Sequence, residues 1–318
     1  MCLYPKLIIN KKYTPNKKNG GKVPPISDIR TMYVPVGCGR CLECKKQKKR
    51  EWQVRLLEDI KEFKNAKFIT LTFRDEEIIK LKEEVINASE YDTQNEIATL
   101  AVRRFLERWR KKFKKSIRHW LVTELGHTGT ERIHLHGILY TDIEKDEIEK
   151  IWKYGYIWVG NYVNNRTINY IVKYINKVDT LHKGYNSKIL CSPGIGRYYL
   201  KRSDKNRNKF NGTNTIEYYR TNDGSKLNLP TYYRNHLYTE EEREKLWLHK
   251  LDKEERYVLG QKISIKNGED DYYKLLKIAR MDNIKLGYGN DKKNFDEEQY
   301  KIRRKKIKIA TKLKNSKN

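Results

Sequence analysis

The most constraining stretch of this chain is Arg132-Ile133-His134-Leu135-His136-Gly137-Ile138. Polar and apolar residues alternate through it, and a period of two is the signature of a strand. His134 and His136 then share one face, roughly 6.7 Å apart along the chain, while Ile133 and Leu135 share the other. Two imidazoles so placed can grip one metal ion. Residues 119–125 also read as a strand, on which Trp120, Val122 and Glu124 share a face. The intervening Gly126-His127-Thr128-Gly129-Thr130-Glu131 is rich in turn residues, so the two strands are expected to form a hairpin. Centred near Gly129, that hairpin puts Glu124 opposite His134, with Cβ atoms about 4.5–5.5 Å apart. Glu124, His134 and His136 are therefore the candidate ligands of a divalent ion that keeps positions open for a substrate oxygen. His127, in the turn, is the next candidate.

Around this hairpin the sequence predicts an α+β fold. Phe68-Ile69-Thr70-Leu71-Thr72-Phe73 alternates and reads as a strand over 67–73. A helix is expected over about 97–115, with Val102, Phe105, Leu106, Trp109 and Phe113 on one stripe. Its other face carries Arg103, Arg104, Arg108, Arg110, Lys111, Lys112, Lys114 and Lys115 and reads as a phosphate-facing surface. Further helices are expected at about 143–153 and 166–178. This order implies an antiparallel central sheet with helices packed on one face. Four regions follow: a Cys-rich N-terminal element with a basic helix over 1–60, the main domain over 61–200, an accessory region over 201–300, and a tail over 301–318. Within the accessory region, 239–283 reads as helical. The tail holds nine Lys or Arg and no acid, and is expected to be a disordered basic arm.

A second cluster lies on the 166–178 helix. At about 100° per residue, Tyr170, Lys173, Tyr174 and Lys177 fall on one face, and Ile168, Ile171, Val172 and Ile175 on the other. Tyrosine, with a pKa of about 10, is a poor nucleophile unless it is activated. Neighbouring lysine charges favour the phenolate, and a metal ion makes a phosphorus more electrophilic.

The third cluster is Cys38-Gly39-Arg40-Cys41-Leu42-Glu43-Cys44. Three of the five cysteines crowd together, which suggests metal binding in a reducing compartment and not a disulfide frame. A structural zinc site needs four ligands, so Cys2 is the best fourth and Cys191 the alternative. An iron–sulfur run would normally continue to C-x3-C-P, which is absent.

Charge narrows the partner. Lys and Arg total 69 against 41 Asp and Glu, a net charge of +28, which points to a polyanion and most simply to nucleic acid. Recurrent Lys, Asn and Tyr runs also carry the mark of AT-rich coding. No apolar stretch approaches the 18 or so residues that span a bilayer, and no signal-peptide pattern opens the chain, so a cytoplasmic protein without a membrane partner is expected. No G-x-x-x-x-G-K-[ST] phosphate loop occurs, so an ATPase module is not expected.

In this order the motifs resemble those of the HUH endonucleases that initiate rolling-circle replication. The Phe68–Phe73 strand is similar to their first motif. His134-Leu135-His136 matches the His-hydrophobic-His motif, and Tyr170–Lys177 resembles the two-tyrosine motif of phiX-type microvirus initiators. The cysteine cluster before a basic helix, Thr123-Glu124-Leu125-Gly126, and Ser192-Pro193-Gly194-Ile195-Gly196 resemble the initiators of gokushovirus-like microviruses. The resemblance covers residues 1–200 and nothing beyond.

It implies that Glu124, His134 and His136 hold Mg²⁺ or Mn²⁺ against the scissile phosphate of origin DNA, single-stranded or duplex. Tyr170 or Tyr174 would attack to form a 5′-phosphotyrosine and leave a 3′-OH for a host DNA polymerase. The second tyrosine would cleave the regenerated origin, so that the strand is closed into a circle without ATP. Lys173 and Lys177 would stabilise the charge that develops. A host helicase would unwind the duplex, in the cytoplasm of a bacterial host. The competing reading is a non-catalytic zinc-containing DNA-binding protein, a regulator or single-strand binder. Phosphate contacts and base stacking then account for charge, cysteines and aromatics. That reading leaves the Glu/His/His and Tyr/Lys faces unexplained.

Overall fold

The computed structural model describes residues 2–85, 90–126, 131–177, 182, 185–288 and 297–316. The elements begin with β1 (Lys6–Ile9), β2 (Tyr33–Val36), α1 (Leu42–Glu62), β3 (Ala66–Leu71), α2 (Asp75–Glu83), α3 (Glu90–Phe113), β4 (Arg118–Leu125), β5 (Ile133–Tyr140), α4 (Lys145–Trp152), β6 (Ile157–Gly160) and α5 (Asn165–Ile171). They continue with β7 (Ile189–Cys191), β8 (Tyr218–Arg220), β9 (Lys226–Asn228), α6 (Thr231–Leu237), α7 (Glu240–Asp252), β10 (Glu255–Val258), β11 (Gln261–Ser264), α8 (Asp270–Lys285) and α9 (Glu297–Asn315). The chain divides into two compact units, one of Met1–Gln47, Asn206–Glu217 and Thr231–Asn318, the other of Lys48–Lys205 and Tyr218–Pro230. No helix among the described residues is long and apolar enough to cross a membrane.

The second unit is a mixed α+β body around a five-stranded sheet of order β6-β3-β5-β4-β7. Every pairing in it is antiparallel. The helices do not lie on one face, as the element order suggested; they cover both. The reason is in the strands, which are apolar on both sides. Leu121, Leu125, Leu135 and Leu139 project to one side, where Ala101, Phe105 and Trp109 of α3 and Ile148 and Trp152 of α4 bury them. Trp120, Val122 and Ile138 project to the other, against Leu56 of α1 and Ile168, Ile171 and Ile175. Exposing either side would forfeit about 1.5–3 kcal/mol per large side chain, so both must be covered.

This placement sets α3 apart from the histidine cluster. Its basic face was read as phosphate-facing, yet α3 packs on the side of the sheet away from His134 and His136. Several of its cations hold local structure. Arg104 pairs with Glu84 at 2.5 Å, Lys112 pairs with Glu147, and Arg108 donates to the carbonyls of Ile151 at 2.7 Å and Trp152 at 2.8 Å.

In the first unit β1 and β2 pair antiparallel. Leu3, Tyr4 and Cys41 share a core with Val258, Ile265, Tyr272 and Leu276. Residues 239–283 are not continuously helical: a β10–β11 hairpin separates α7 from α8. Leu259 and Gly260 both take positive φ, 50° and 89°, the backbone of a two-residue hairpin turn. The tail also departs from expectation. Where 301–318 was expected to be disordered, α9 runs from Glu297 to Asn315, burying Tyr300, Arg304, Ile307 and Thr311. Those residues recur at helical spacing between exposed lysines, so one stripe packs although the composition is polar.

Candidate metal and nucleophile site

The β4–β5 register pairs Glu124 with His134 and Val122 with His136. That is the pairing a turn centred on residue 129 requires; the turn itself, with His127, lies outside the described residues. Gly137 lets the strands approach so closely: a Cβ there would lie 2.0 Å from the Trp120 carbonyl oxygen. The described ligand atoms of Glu124, His134 and His136 all lie within 4.8 Å of one another. Glu124 Oε2 is 2.9 Å from His136 Nε2 and 3.2 Å from His134 Nε2.

Their outer partners orient the rings. His134 Nδ1 lies 3.1 Å from the Arg132 carbonyl and can only donate to it. Its Nε2 faces the Glu124 carboxylate at 3.2 Å, and these are the two atoms that would turn to a shared cation. His136 Nδ1 lies 3.0 Å from Thr70 Oγ1. Thr70 is the register partner of His136 on β3. It was not singled out from sequence, although the strand containing it was. Such partners fix ring orientation and raise ligand basicity. Two imidazoles and one carboxylate could hold a metal ion and leave positions open to a further ligand.

The charge balance is consistent with that use. Burial pushes the Glu124 carboxyl up, but hydrogen bonds from His134, His136 and Lys177 outweigh it and hold the group well below the usual carboxylate range. Burial pulls the His136 imidazole down, towards the neutral form that binds metal, with Glu124 opposing.

The tyrosines lie on the same side of the sheet. Asn164 caps α5, accepting from the Arg166 and Thr167 amides. After Ile171 the helix tightens into a 3-10 turn, Val172–Ile175. Ile168, Ile171 and Ile175 are buried against the sheet, as the helical stripe requires. The Tyr174 ring stacks on the His136 imidazole, with centroids 4.3 Å apart and planes 6° off parallel. Its hydroxyl donates to the Tyr170 oxygen at 2.6 Å.

The two phenols are unequal. Tyr170 is 45% exposed and Tyr174 only 9%. Lys173 Nζ sits 4.0 Å from the centre of the Tyr170 ring, and Lys177 pairs with Glu124. The expectation that lysines favour the phenolate fails at Tyr174. There burial, the hydrogen bond to Tyr170 and the Glu124 charge all push the phenol up, so it stays a donor.

A second candidate metal centre lies in the other unit. The sulfurs of Cys2, Cys38, Cys41 and Cys44 all fall within 4.8 Å of one another. Two of the edges measure 3.8 Å (Cys2–Cys41) and 4.0 Å (Cys38–Cys44). A tetrahedron with metal–sulfur bonds of about 2.3 Å has edges of about 3.8 Å, so the cluster could hold zinc. Backbone amides of Leu3, Tyr4, Cys38 and Cys41 point at these sulfurs, as they would at thiolates. Cys191 takes no part; it sits on β7, paired with Trp120.

A comparison with curated proteins finds no match to this chain, and neither does one with solved structures. Residues 66–179 do match a family model, that of the replication-associated protein of the ORF2 type. That span carries Glu124, His134, His136, Tyr170 and Tyr174 together, so the part of the chain similar to that replication-associated family is the part that holds the site.

Proposed function

We propose that this protein is a phage rolling-circle initiator of the HUH type, which nicks origin DNA through a tyrosine and rejoins the displaced strand into a circle. One observation carries the proposal: Tyr174 stacks on His136 at 4.3 Å and hydrogen-bonds Tyr170, so both phenols adjoin the Glu124/His134/His136 cluster. The nuclease chemistry is assigned to residues 61–200.

Glu124, His134 and His136 would hold Mg²⁺ or Mn²⁺. An ion held by these three residues would supply Lewis-acid withdrawal of charge from the scissile phosphate. Tyr170, the exposed phenol, is assigned the first attack. Its oxygen bonds to phosphorus, the P–O3′ bond breaks, the phenol loses its proton and the departing O3′ gains one. The products are a 5′-phosphotyrosine and a 3′-OH, which would serve a host polymerase while a host helicase separates the strands. Tyr174 donates to the Tyr170 oxygen and so steadies the negative charge that gathers there. Lys173, over the Tyr170 ring, adds a positive charge against the face of the same phenol. Because the tyrosyl link conserves the phosphodiester, ligation needs no ATP. Four thiols in the other unit would hold a structural zinc ion. A non-catalytic DNA-binding protein would have no use for this convergence.

Cleavage of a labelled single-stranded origin oligonucleotide tests the proposal. Wild-type protein should cut with Mn²⁺ or Mg²⁺ and stop on chelation. Glu124→Gln should lose at least ~10–100-fold, the range seen when even outer partners of a metal are removed. Equal cleavage by Glu124→Gln would exclude the assigned ligand set.

A further inference from the structure

We infer that Trp158 is a base-stacking platform for single-stranded DNA, placed to hold a base beside the scissile phosphate; the inference rests on the nuclease reading of the Glu124/His134/His136 face. The register carries the placement. On the edge strand β6, Trp158 pairs with Thr70 of β3, and Thr70 pairs with His136 of β5. Directly paired residues project to the same side of a sheet, so Trp158, Thr70 and His136 form one row across it. Two strand spacings separate the Trp158 and His136 backbones, about 10 Å.

Trp158 is 49% exposed, although it belongs to a sheet that is apolar on both sides. Its orientation is nevertheless set. The Phe68 ring meets it edge-on, with centroids 5.2 Å apart and planes at 71°. Gly160 lies beneath it: a Cβ at residue 160 would come within 2.8 Å of the indole. Phe68 also contacts Tyr170, at 6.1 Å between centroids. The exposed indole and the exposed phenol therefore flank one buried ring. An oriented aromatic face costs little ordering entropy on binding. Stacking accepts any base and suits unpaired strands, whose bases are free to splay, whereas duplex bases already stack on one another. The occupant is therefore a nucleobase of a single strand whose backbone runs on to Tyr170, drawn in by a chain of charge +28.

Fluorescence anisotropy of the full chain, without added metal, measures binding at fixed salt. The probes are a labelled oligothymidylate, longer than the ~4–16 nucleotides such grooves track, and a blunt duplex. Trp158→Ala should bind the oligothymidylate about 5- to 100-fold more weakly, as the loss of one stacked base implies. Duplex affinity and melting temperature should not change. Trp158→Phe should keep most of the affinity, and Trp158→Leu should behave like Trp158→Ala. If Trp158→Ala fails to fold, the Phe and Leu pair decides alone. Equal binding by the Phe and Leu variants would show apolar bulk without stacking and overturn the inference. So would wild-type affinity in a folded Trp158→Ala. In either case oligonucleotide cleavage by wild-type protein leaves the nuclease reading intact. Wild-type protein that binds no oligothymidylate and cuts no oligonucleotide would remove both.

Discussion

Glu124 offers one carboxylate oxygen to two imidazoles, and most of the site's chemistry follows from that convergence. The ring of His136 is held from behind by Thr70 at 3.0 Å and covered by Tyr174 at 4.3 Å. Thr70→Val keeps the shape and removes the hydroxyl. It should raise the Mn²⁺ concentration needed for half-maximal cleavage by about 10–100-fold, with the melting temperature unchanged. A metal titration of cleavage checks this, and an unchanged midpoint would show that Thr70 does not orient His136. Glu124, His134 and His136 were legible because strand alternation fixes faces and turn symmetry fixes the opposed pair. Thr70 was not, because a register across three strands depends on β3 pairing with β5, which local sequence does not dictate. The inequality of Tyr170 and Tyr174 was equally hidden: helical periodicity sets a shared direction but not how deeply each ring is covered.

The β4–β5 pair depends on a residue without a side chain. Gly137 sits where any Cβ would collide with the Trp120 carbonyl and the Leu121 backbone, at 2.0 Å and 2.8 Å. Backbone cannot swing aside as a side-chain tip can. Gly137→Ala should therefore cost at least about 2–3 kcal/mol, the upper part of the usual overpacking range. Urea denaturation should show a lower midpoint at constant slope. A midpoint equal to wild type would mean that the strands separate freely there. Long elements with strong periodicity, such as β4, β5 and α3, were legible. Edge strands β6 and β7, of four and three residues, were too short to show a period. That helices cover a second face was missed because Trp120, Val122 and Ile138 look like one half of an alternation, and only tertiary packing shows that this half is also buried. In α9 the lysines masked a buried stripe of Tyr300, Ile307 and Thr311.

Across the whole molecule, the four-cysteine cluster ties the start of the chain to α8 and the β10–β11 hairpin in one shared core. Nothing in the local sequence of residues 1–60 signals that partnership, since contacts so distant along the chain leave no periodicity. Structural zinc sites contribute apparent binding free energies of about 10–16 kcal/mol, which become folding free energy. Purified protein should therefore carry one equivalent of zinc by metal analysis. Cys41→Ser should lose that equivalent and melt at a lower temperature; a full zinc complement in the variant would reassign the ligands. The central claim joins the nucleophiles to the metal cluster, and the most direct measurement is capture of the covalent protein–DNA adduct. Wild-type protein, a single-stranded origin oligonucleotide and Mn²⁺ should give an adduct that survives a denaturing gel. Trypsin cutting after Arg166, Lys173 and Lys177 separates the two tyrosines, so mass spectrometry should find the nucleotide on the Tyr170 peptide after a first cleavage. The Tyr170→Phe/Tyr174→Phe double variant should form no adduct while still binding the oligonucleotide. An undiminished adduct in that variant, with the nucleotide on Tyr198 or Tyr199, would contradict the assignment.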